Sequence, residues 1–333
     1  MTITRRTALA GLSAAATLPI IGAPALAQSK TKLTVGALRF TSHAASFVAF
    51  ERGYFADAGF DVDFAFFQAA QPMAVAIASG DADFAVTAIS GGLVSLAQKD
   101  AARVIAGALR EEAGIDGQKV LASAAAFEGG VKTPKDLDGK SWAVTQAGSS
   151  FHYMGSKIAA KEGISLSFKP LQKVGAIIGA MKSGQVDGWS IVPHIAKPLA
   201  KAGAWHIIAD VADYLPDYQV TTVFTSKATA EEDEAKSKAF LAAFQKGADD
   251  FNAALVDRTA GDEAAEEMIQ LIHKYVYTDR PYEKAKPSIV NGAMRISTDL
   301  NADSVKDQLD WFSSEGLIKG DTSMGVVVSE KYL

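Results

Sequence analysis

One short segment of this sequence combines residue types that bind anions in many proteins. The segment AVTQAGSSFHYMG (143–155) places Gly148, Ser149 and Ser150 directly before Phe151 and His152. If a helix begins there, its first N–H groups and the positive end of its dipole favour an anion. Gly148 would let the backbone approach a ligand, and the two hydroxyls would add donors. The simpler interpretation is that Ser149 or Ser150 only caps the helix, and the two roles are compatible.

His152 has two interpretations as well. It either faces the ligand or is a partly buried side chain that bonds to a carbonyl group. The sequence does not decide between them, because the residue lies within the first turn of the predicted helix.

A second polar cluster follows the first predicted strand. It consists of Arg39, Phe40, Thr41, Ser42 and His43. Ligands bind at the carboxyl ends of strands in open α/β sheets, so these side chains are candidates, and an Arg or His there would balance an acidic ligand. The alternative for Arg39 is an ion pair on the surface.

Other candidates come from the same positional rule. Gln68 and Gln71 follow the second predicted strand, and Thr87 and Ser90 follow the third. Trp189 ends a later strand and could stack on an organic ligand, although a place in the core is an equal alternative. The positions of Arg110 and His194 relative to a cleft stay open.

The composition argues against most other chemistries. The sequence has no Cys, which excludes thiol catalysis and disulfides. The five His are not spaced as zinc ligands, and HExxH, GxSxG, P-loop and GxGxxG motifs are absent. A net charge of −5 without a basic block argues against nucleic acid. The sequence therefore predicts no catalytic residues, no cofactor and no metal.

Strands alternate with helices along the first part of the chain. Strands are predicted over 32–40, 60–67 and 83–88, with helices over 46–59 and 72–80. This order is typical of β-α-β units and a largely parallel sheet. AIASGDADFAV and AMKSGQVDGWS share a Ser-Gly-x-x-Asp pattern, which we interpret as a helix end and a turn. The repeat suggests two similar halves.

Three boundaries follow from these patterns. Residues 1–27 are predicted to be a signal peptide, with Arg5 and Arg6 before an apolar run and Ala25-Leu26-Ala27 as the cleavage site. Either the Sec or the twin-arginine route fits. Lobe 1 is predicted to comprise 28–123 and 219–333, and lobe 2 to comprise 124–218.

The ordered set of segments resembles a known family. LTVGALRF, SFVAFERGYFADAGFDVDFAFF, ASGDADFAV, KTPKDLDGKSWAV and MKSGQVDGWSIVPHIAKPLAKAG are similar to segments of the periplasmic solute-binding proteins of nitrate/sulfonate/taurine-type ABC transporters. The similarity extends over about 32–333. It implies a two-lobed type II periplasmic binding protein fold, with mixed sheets flanked by helices and a ligand cleft between the lobes. It also implies that Gly148, Ser149 and Ser150 contact the acidic group of the ligand.

The same resemblance implies a function and partners. We expect a monomeric periplasmic protein that delivers a sulfonate, taurine, nitrate or aromatic carboxylate to a permease and an ATPase. One alternative is a binding protein for a thiamine or flavin precursor. Another is an enzyme related to pyrimidine-precursor synthesis, but the yeast-type enzymes carry a cysteine-rich motif that this chain lacks.

Overall fold

The chain forms ten strands and fourteen helices within residues 30–332, which are the residues that the computed structural model describes. The predicted signal peptide lies outside them. The strands are β1 Thr31–Leu38, β2 Phe60–Phe67, β3 Phe84–Thr87, β4 Arg103–Gly107, β5 Lys119–Ser123, β6 Ser141–Val144, β7 Ser167–Pro170, β8 Gly188–Ile191, β9 Trp205–Asp210 and β10 Thr222–Thr225.

The helices surround these strands and fill most of the last third of the chain. They are α1 Ala44–Glu51, α2 Tyr54–Asp57, α3 Ala70–Ser79, α4 Gly91–Ala97, α5 Ala124–Glu128, α6 Ser150–Glu162, α7 Val174–Lys182, α8 Pro193–Lys201, α9 Lys227–Glu232, α10 Glu234–Phe251, α11 Gly261–His273, α12 Tyr282–Val290, α13 Ala302–Ser314 and α14 Met324–Val327. In 30–332 no helix has the length and apolar character needed to span a bilayer.

Two five-stranded sheets repeat one topology. The first has the order β2-β1-β3-β10-β4 and the second has the order β7-β6-β8-β5-β9. In each sheet the first three strands are parallel and the last two pairings are antiparallel. Both sheets are therefore mixed, and the internal similarity of the sequence corresponds to a repeated fold.

The Ser-Gly-x-x-Asp repeat has the same structural role in both sheets. Gly80 and Gly184 follow α3 and α7 with φ of +82° and +68°, a conformation that glycine adopts without strain. Asp83 then accepts a hydrogen bond from the N–H of Thr34 at 2.8 Å, and Asp187 accepts one from the N–H of Ser141 at 2.8 Å. In each copy of the repeat the glycine follows a helix, and the aspartate connects the start of the next strand to its neighbour in the sheet.

The chain crosses between the sheets twice. It leaves the first sheet after Gly107 and enters the second at Lys119, and it returns between Asp210 and Thr222. The crossing segments, 108–118 and 211–221, meet at a bridge between Arg110 and Gln219. β5 pairs with β8 and β9, although the predicted lobe boundary placed it with the first sheet. A short apolar strand has the same sequence pattern in either sheet, so the pattern does not reveal its partners.

Candidate functional site

A small inner cavity of about 60 Å³ lies where the carboxyl ends of strands from both sheets face each other. The first sheet and its loops contribute Leu38, Phe40, Ser42, His43, Gln68, Ala69, Ala70, Thr87 and Ala88. The second sheet and its loops contribute Thr145, Ser149, Ser150, Phe151, Val174, Ile191 and Val192. The crossing segments contribute Leu109, Gln118, Val220 and Thr221. The wall is apolar with hydroxyl and amide groups, and the described residues contribute no carboxylate to it.

Two helix starts face this cavity from opposite sides. On one side a 3₁₀ turn (Thr41–His43) leads into α1, and on the other Ser149 precedes α6. Among the backbone hydrogen bonds of 30–332, none uses the N–H groups of Ser42, Ser150 or Phe151. Free N–H groups at helix starts carry partial positive charge and bind anions. The inner cavity therefore has an anion-favouring field without a charged side chain.

His43 adds a neutral donor to the same cavity. Burial lowers its pKa to about 3, so the imidazole is uncharged near neutral pH. Its Nδ1 accepts a hydrogen bond from the N–H of Leu38 at 3.4 Å, which leaves the ring proton on Nε2. His43 can therefore donate a hydrogen bond to a ligand, but it does not balance the charge of one.

The segment before α6 divides into ligand-facing and structural residues. Ser149 and Ser150 line the inner cavity, and Ser149 also caps α6 by accepting a hydrogen bond from the N–H of His152 at 3.4 Å. Gly148 does not line this cavity, because its N–H donates to His152 Nδ1 at 3.1 Å and its carbonyl accepts from the N–H of Gly91 at 2.9 Å.

His152 is therefore placed as a support for the turn at Gly148. Burial lowers its pKa, and only the carboxylate of Glu315 acts in the opposite direction. The contact between Gly148 and Gly91 joins the loop before α6 to the start of α4, so it links the two sheets' helices across the cleft.

A larger outer cavity of about 320 Å³ adjoins the inner one. Leu38, Phe40, Gln68 and Val174 belong to the walls of both. The rest of the outer wall is mostly apolar, and consists of Arg39, Phe66, Phe67, Gly175, Ile178, His194, Ile195, Pro198, Leu199, Tyr277 and Arg280. A volume of this size fits the lower end of the range for small-molecule sites.

His194 and Tyr277 join the two sides of the outer cavity. The hydroxyl of Tyr277 donates to the carbonyl of His194 at 2.8 Å and lies 2.7 Å from its Nδ1. Burial, together with the nearby His43, lowers the pKa of His194 to about 3. This pair fixes the turn between α11 and α12 against the start of α8.

Arg39 is near the ligand cleft but does not face the inner cavity. Its guanidinium lies 3.7 Å from the centre of the Phe66 ring, and Nη1 donates to the carbonyl of Tyr275 at 3.0 Å. It lines the outer cavity, whereas His43 lines the inner one. The expected Arg39 and His43 cluster is thus divided between the two cavities.

Four other predicted residues line neither cavity, and neither does Arg110, whose position the sequence left open. Trp189 is fully buried in β8, where its ring packs against Phe151 and Trp205, so it belongs to the core. Ser90 caps α4 by accepting from the N–H of Leu93 at 3.2 Å. Thr41 is buried outside both walls, Gln71 bonds to Gln146, and Arg110 lies 3.8 Å from Glu112. Trp189 is the second residue of β8, a central strand that is buried on both faces, so its ring has no exposed surface for stacking, whereas Ile191 at the end of β8 lines the inner cavity.

Some wall residues were not among the sequence candidates. Thr145 follows β6 and could have been found by the strand-end rule. Gln118 lies on a crossing segment, and Tyr277 and Arg280 lie on the turn between α11 and α12. The strand-end rule covers none of these three positions. Those of Tyr277 and Arg280 depend on how α11 and α12 pack.

A buried carboxyl group lies behind the inner cavity. Burial raises the pKa of Glu111 to about 7, although hydrogen bonds from Gln118 act in the opposite direction. Its Oε1 accepts from the backbone N–H of Gln118 at 3.0 Å, and its Oε2 has no partner among the residues described. Gly117 leaves room for this side chain, since a Cβ there would collide with Oε2. Glu111 is therefore mainly protonated below neutral pH.

Contacts from α13 connect the cleft to the end of the chain. Asp307 accepts a hydrogen bond from the hydroxyl of Tyr153 and pairs with Lys157 Nζ at 2.7 Å. Trp311 packs edge-on against Tyr153 and His152. In the part of the chain that the structure describes, no cluster of three or more His, Cys, Asp or Glu has the geometry of a metal site.

Comparison with solved structures shows the fold. The periplasmic aliphatic sulphonate binding protein SsuA from Escherichia coli has a TM-score of 0.70 and 18% identity, with 91% of this chain and 99% of that one covered. The periplasmic nitrate-binding protein NrtA from Synechocystis PCC 6803 has a TM-score of 0.69 and 15% identity, with 91% and 87% covered. A Candida albicans gene product with the generic periplasmic binding protein fold has a TM-score of 0.67 and 17% identity, with 87% and 92% covered.

These similarities confirm the predicted α/β fold of two mixed sheets flanked by helices. No curated protein sequence matches the chain. The profile of the "NMT1/THI5 like" family matches residues 40–254, which include most of both sheets and every wall residue of the inner cavity except Leu38. The chain belongs to the NMT1/THI5-like family.

Proposed function

We propose that this chain is the periplasmic substrate-binding component of an ABC importer and that it captures a small organic or inorganic anion. The observation that carries the proposal is that, among residues 30–332, no Asp or Glu lines either cavity, although the sequence has 38 acidic residues. Acid-free walls, free N–H groups at two helix starts and the hydroxyls of Ser42, Ser149 and Ser150 all favour negative charge.

The ligand class comprises sulfonates, taurine, nitrate and aromatic carboxylates. The proteins with similar structures include one named for aliphatic sulphonate and one named for nitrate, which supports this class. The apolar outer cavity favours an organic anion over a bare inorganic one. A binding role is favoured over catalysis because, in the part of the chain that the structure describes, His43 and His194 have no carboxylate partner that would orient them as bases.

The proposed partners are a membrane permease and its ATPase, which would receive the ligand from a monomeric protein. Export to the periplasm would remove residues 1–27. Mass spectrometry of periplasmic protein should find Gln28 at the N-terminus, and an intact Met1 would contradict export with cleavage.

A thermal-shift screen of the mature protein tests the ligand class. Sodium salts of nitrate, ethanesulfonate and benzoate, together with taurine, would be compared with benzamide, an uncharged analogue of benzoate, and with a neutral aminopyrimidine. At least one anion should raise the melting temperature in a concentration-dependent way, because a ligand that binds only the folded state stabilises it. Stabilisation by the pyrimidine and by none of the anions would favour the precursor-binding alternative and contradict the proposal.

A further inference from the structure

The two arginines of the outer cavity differ from the other arginines of residues 30–332 because they have no carboxylate partner. Arg39 and Arg280 have no carboxylate oxygen within 4.0 Å among residues 30–332. Each of the other five arginines has one: Arg52, Arg103, Arg110, Arg258 and Arg295. In a chain with more acidic than basic residues, the two unpaired guanidinium groups thus line one and the same cavity.

Aromatic contacts position both guanidinium groups at this cavity. Arg39 lies over the ring of Phe66 and uses one donor on the carbonyl of Tyr275. Arg280 lies 4.6 Å from the centre of the Tyr277 ring, and its guanidinium makes no hydrogen bond within 30–332. Because a guanidinium has five N–H donors, most donors of this pair are free for a ligand.

The two cavities therefore offer separate sites for negative charge. The inner cavity presents helix starts and hydroxyls, and the outer cavity presents Arg39 and Arg280 beyond an apolar wall. Phe66, Phe67, Ile178 and Leu199 supply that wall, which suits a ring or a short hydrocarbon body. Leu38, Phe40, Gln68 and Val174 belong to both walls, so the two cavities are adjacent.

We infer that the preferred ligand is an organic anion with two acidic groups joined by an apolar body. One acidic group binds at the helix starts of the inner cavity, and the second binds to Arg39 and Arg280. The inference rests on the proposed function and narrows its ligand class. It disfavours taurine, because an ammonium group at the second position would meet two like charges.

Three ligands of one shape test this inference by titration calorimetry. Terephthalate has two carboxylates, benzoate has one, and 4-(aminomethyl)benzoate carries an ammonium group in place of the second. Terephthalate should bind at least tenfold more tightly than benzoate, and 4-(aminomethyl)benzoate should bind most weakly.

Arginine variants then locate the second acidic group. In Arg280→Gln, and more strongly in the double variant Arg39→Gln/Arg280→Gln, terephthalate should lose at least tenfold more affinity than benzoate does. Within residues 30–332, Arg280→Gln removes no hydrogen bond and loses only the contact with the Tyr277 ring, so its effect on folding should be small. Arg258→Gln is the matched control, since Arg258 pairs with Asp262 and lines neither cavity.

The outcomes separate the inference from the proposed function. If benzoate binds and terephthalate binds no more tightly, or if the arginine variants weaken both equally, the two-acid inference is overturned and the anion-binding function stands. If nitrate or ethanesulfonate binds but neither benzoate nor terephthalate does, the two-acid inference is also overturned and the anion-binding function stands. If no anion binds, both the function and the inference fail.

Discussion

At the scale of single residues, Ser149 and Ser150 allow ligand binding and helix capping to be separated. Both line the inner cavity, but only Ser149 accepts a hydrogen bond from the N–H of His152. We expect Ser149→Ala to lower the free energy of unfolding by about 1 kcal/mol and to weaken anion binding as well. Ser150→Ala should weaken binding by about 1 kcal/mol with a much smaller change in stability.

Urea denaturation without ligand and calorimetry with ligand measure the two effects independently. If Ser150→Ala retains full affinity, that hydroxyl does not contact the ligand. If Ser149→Ala leaves stability unchanged, the weak 3.4 Å bond to His152 does not stabilise the helix.

Gly148 gives a second prediction at this scale. Its φ of +71° strains any other residue, and a Cβ there would lie 3.2 Å from Phe312 Cε1 and 3.5 Å from Gly91. Gly139 has a similar φ of +69°, but a Cβ at that position would have no neighbouring atom within 4 Å, so it is the matched control. Gly148→Ala and Gly139→Ala should each cost about 1 kcal/mol of stability for the backbone alone.

Only Gly148→Ala should also weaken ligand binding, because it disturbs the contact with Gly91 across the cleft. Calorimetry on both variants measures this difference. Equal affinity in the two variants would show that the contact does not contribute to the ligand-binding conformation.

At the scale of elements, the crossing segments carry a pH-dependent group. Burial raises the pKa of Glu111 to about 7, above the 4.5 of an unfolded chain. The native state therefore favours the protonated form. Its contribution to stability is complete below pH 4.5 and is lost as the pH rises through 7.

Glu111→Gln tests the direction of this pH dependence, because glutamine keeps the shape of the side chain and cannot ionise. The stability of the wild type relative to the variant should fall by about 3 kcal/mol between pH 4.5 and pH 8, as the size of the pKa shift implies. His43 and His194 act in the opposite direction below pH 6.5 in both proteins, so the comparison removes their effect. Parallel stability profiles of the two proteins would contradict the role of Glu111.

Elements were more predictable from the sequence than their partners were. The predicted strand over 60–67 coincides with β2, because acidic and apolar residues alternate there and Gly59 precedes the segment. The helix predicted over 46–59 is instead α1 and α2, which Gly53 separates with a φ of +77°. Strand-end positions led to His43, Gln68 and Thr87, and the predicted helix start led to Ser149 and Ser150; all five line the inner cavity. Tyr277 and Arg280 could not be found in this way, since their position depends on tertiary packing of α11 and α12.

At the scale of the whole molecule, the described conformation has contacts that close the cleft. Gly91 bonds to Gly148, His194 bonds to Tyr277, and Asp307 bonds to Tyr153 and Lys157. The inner cavity is correspondingly small, at about 60 Å³. We expect these contacts to break when the two lobes rotate apart about the crossing segments 108–118 and 211–221.

This view predicts that the ligand and Asp307 act on the same equilibrium between open and closed forms. Small-angle scattering of the mature protein should show a smaller radius of gyration at a saturating concentration of the anion identified by thermal shift.

Asp307→Asn removes the charge that pairs with Lys157, so it should weaken the closed form and lower ligand affinity several-fold. Asp310→Asn, on the same helix and paired only with Lys306 in an exposed position, is the control and should bind like the wild type. An unchanged radius with proven binding would contradict closure, and equal affinity in the two variants would show that the Asp307 contact does not favour the closed form.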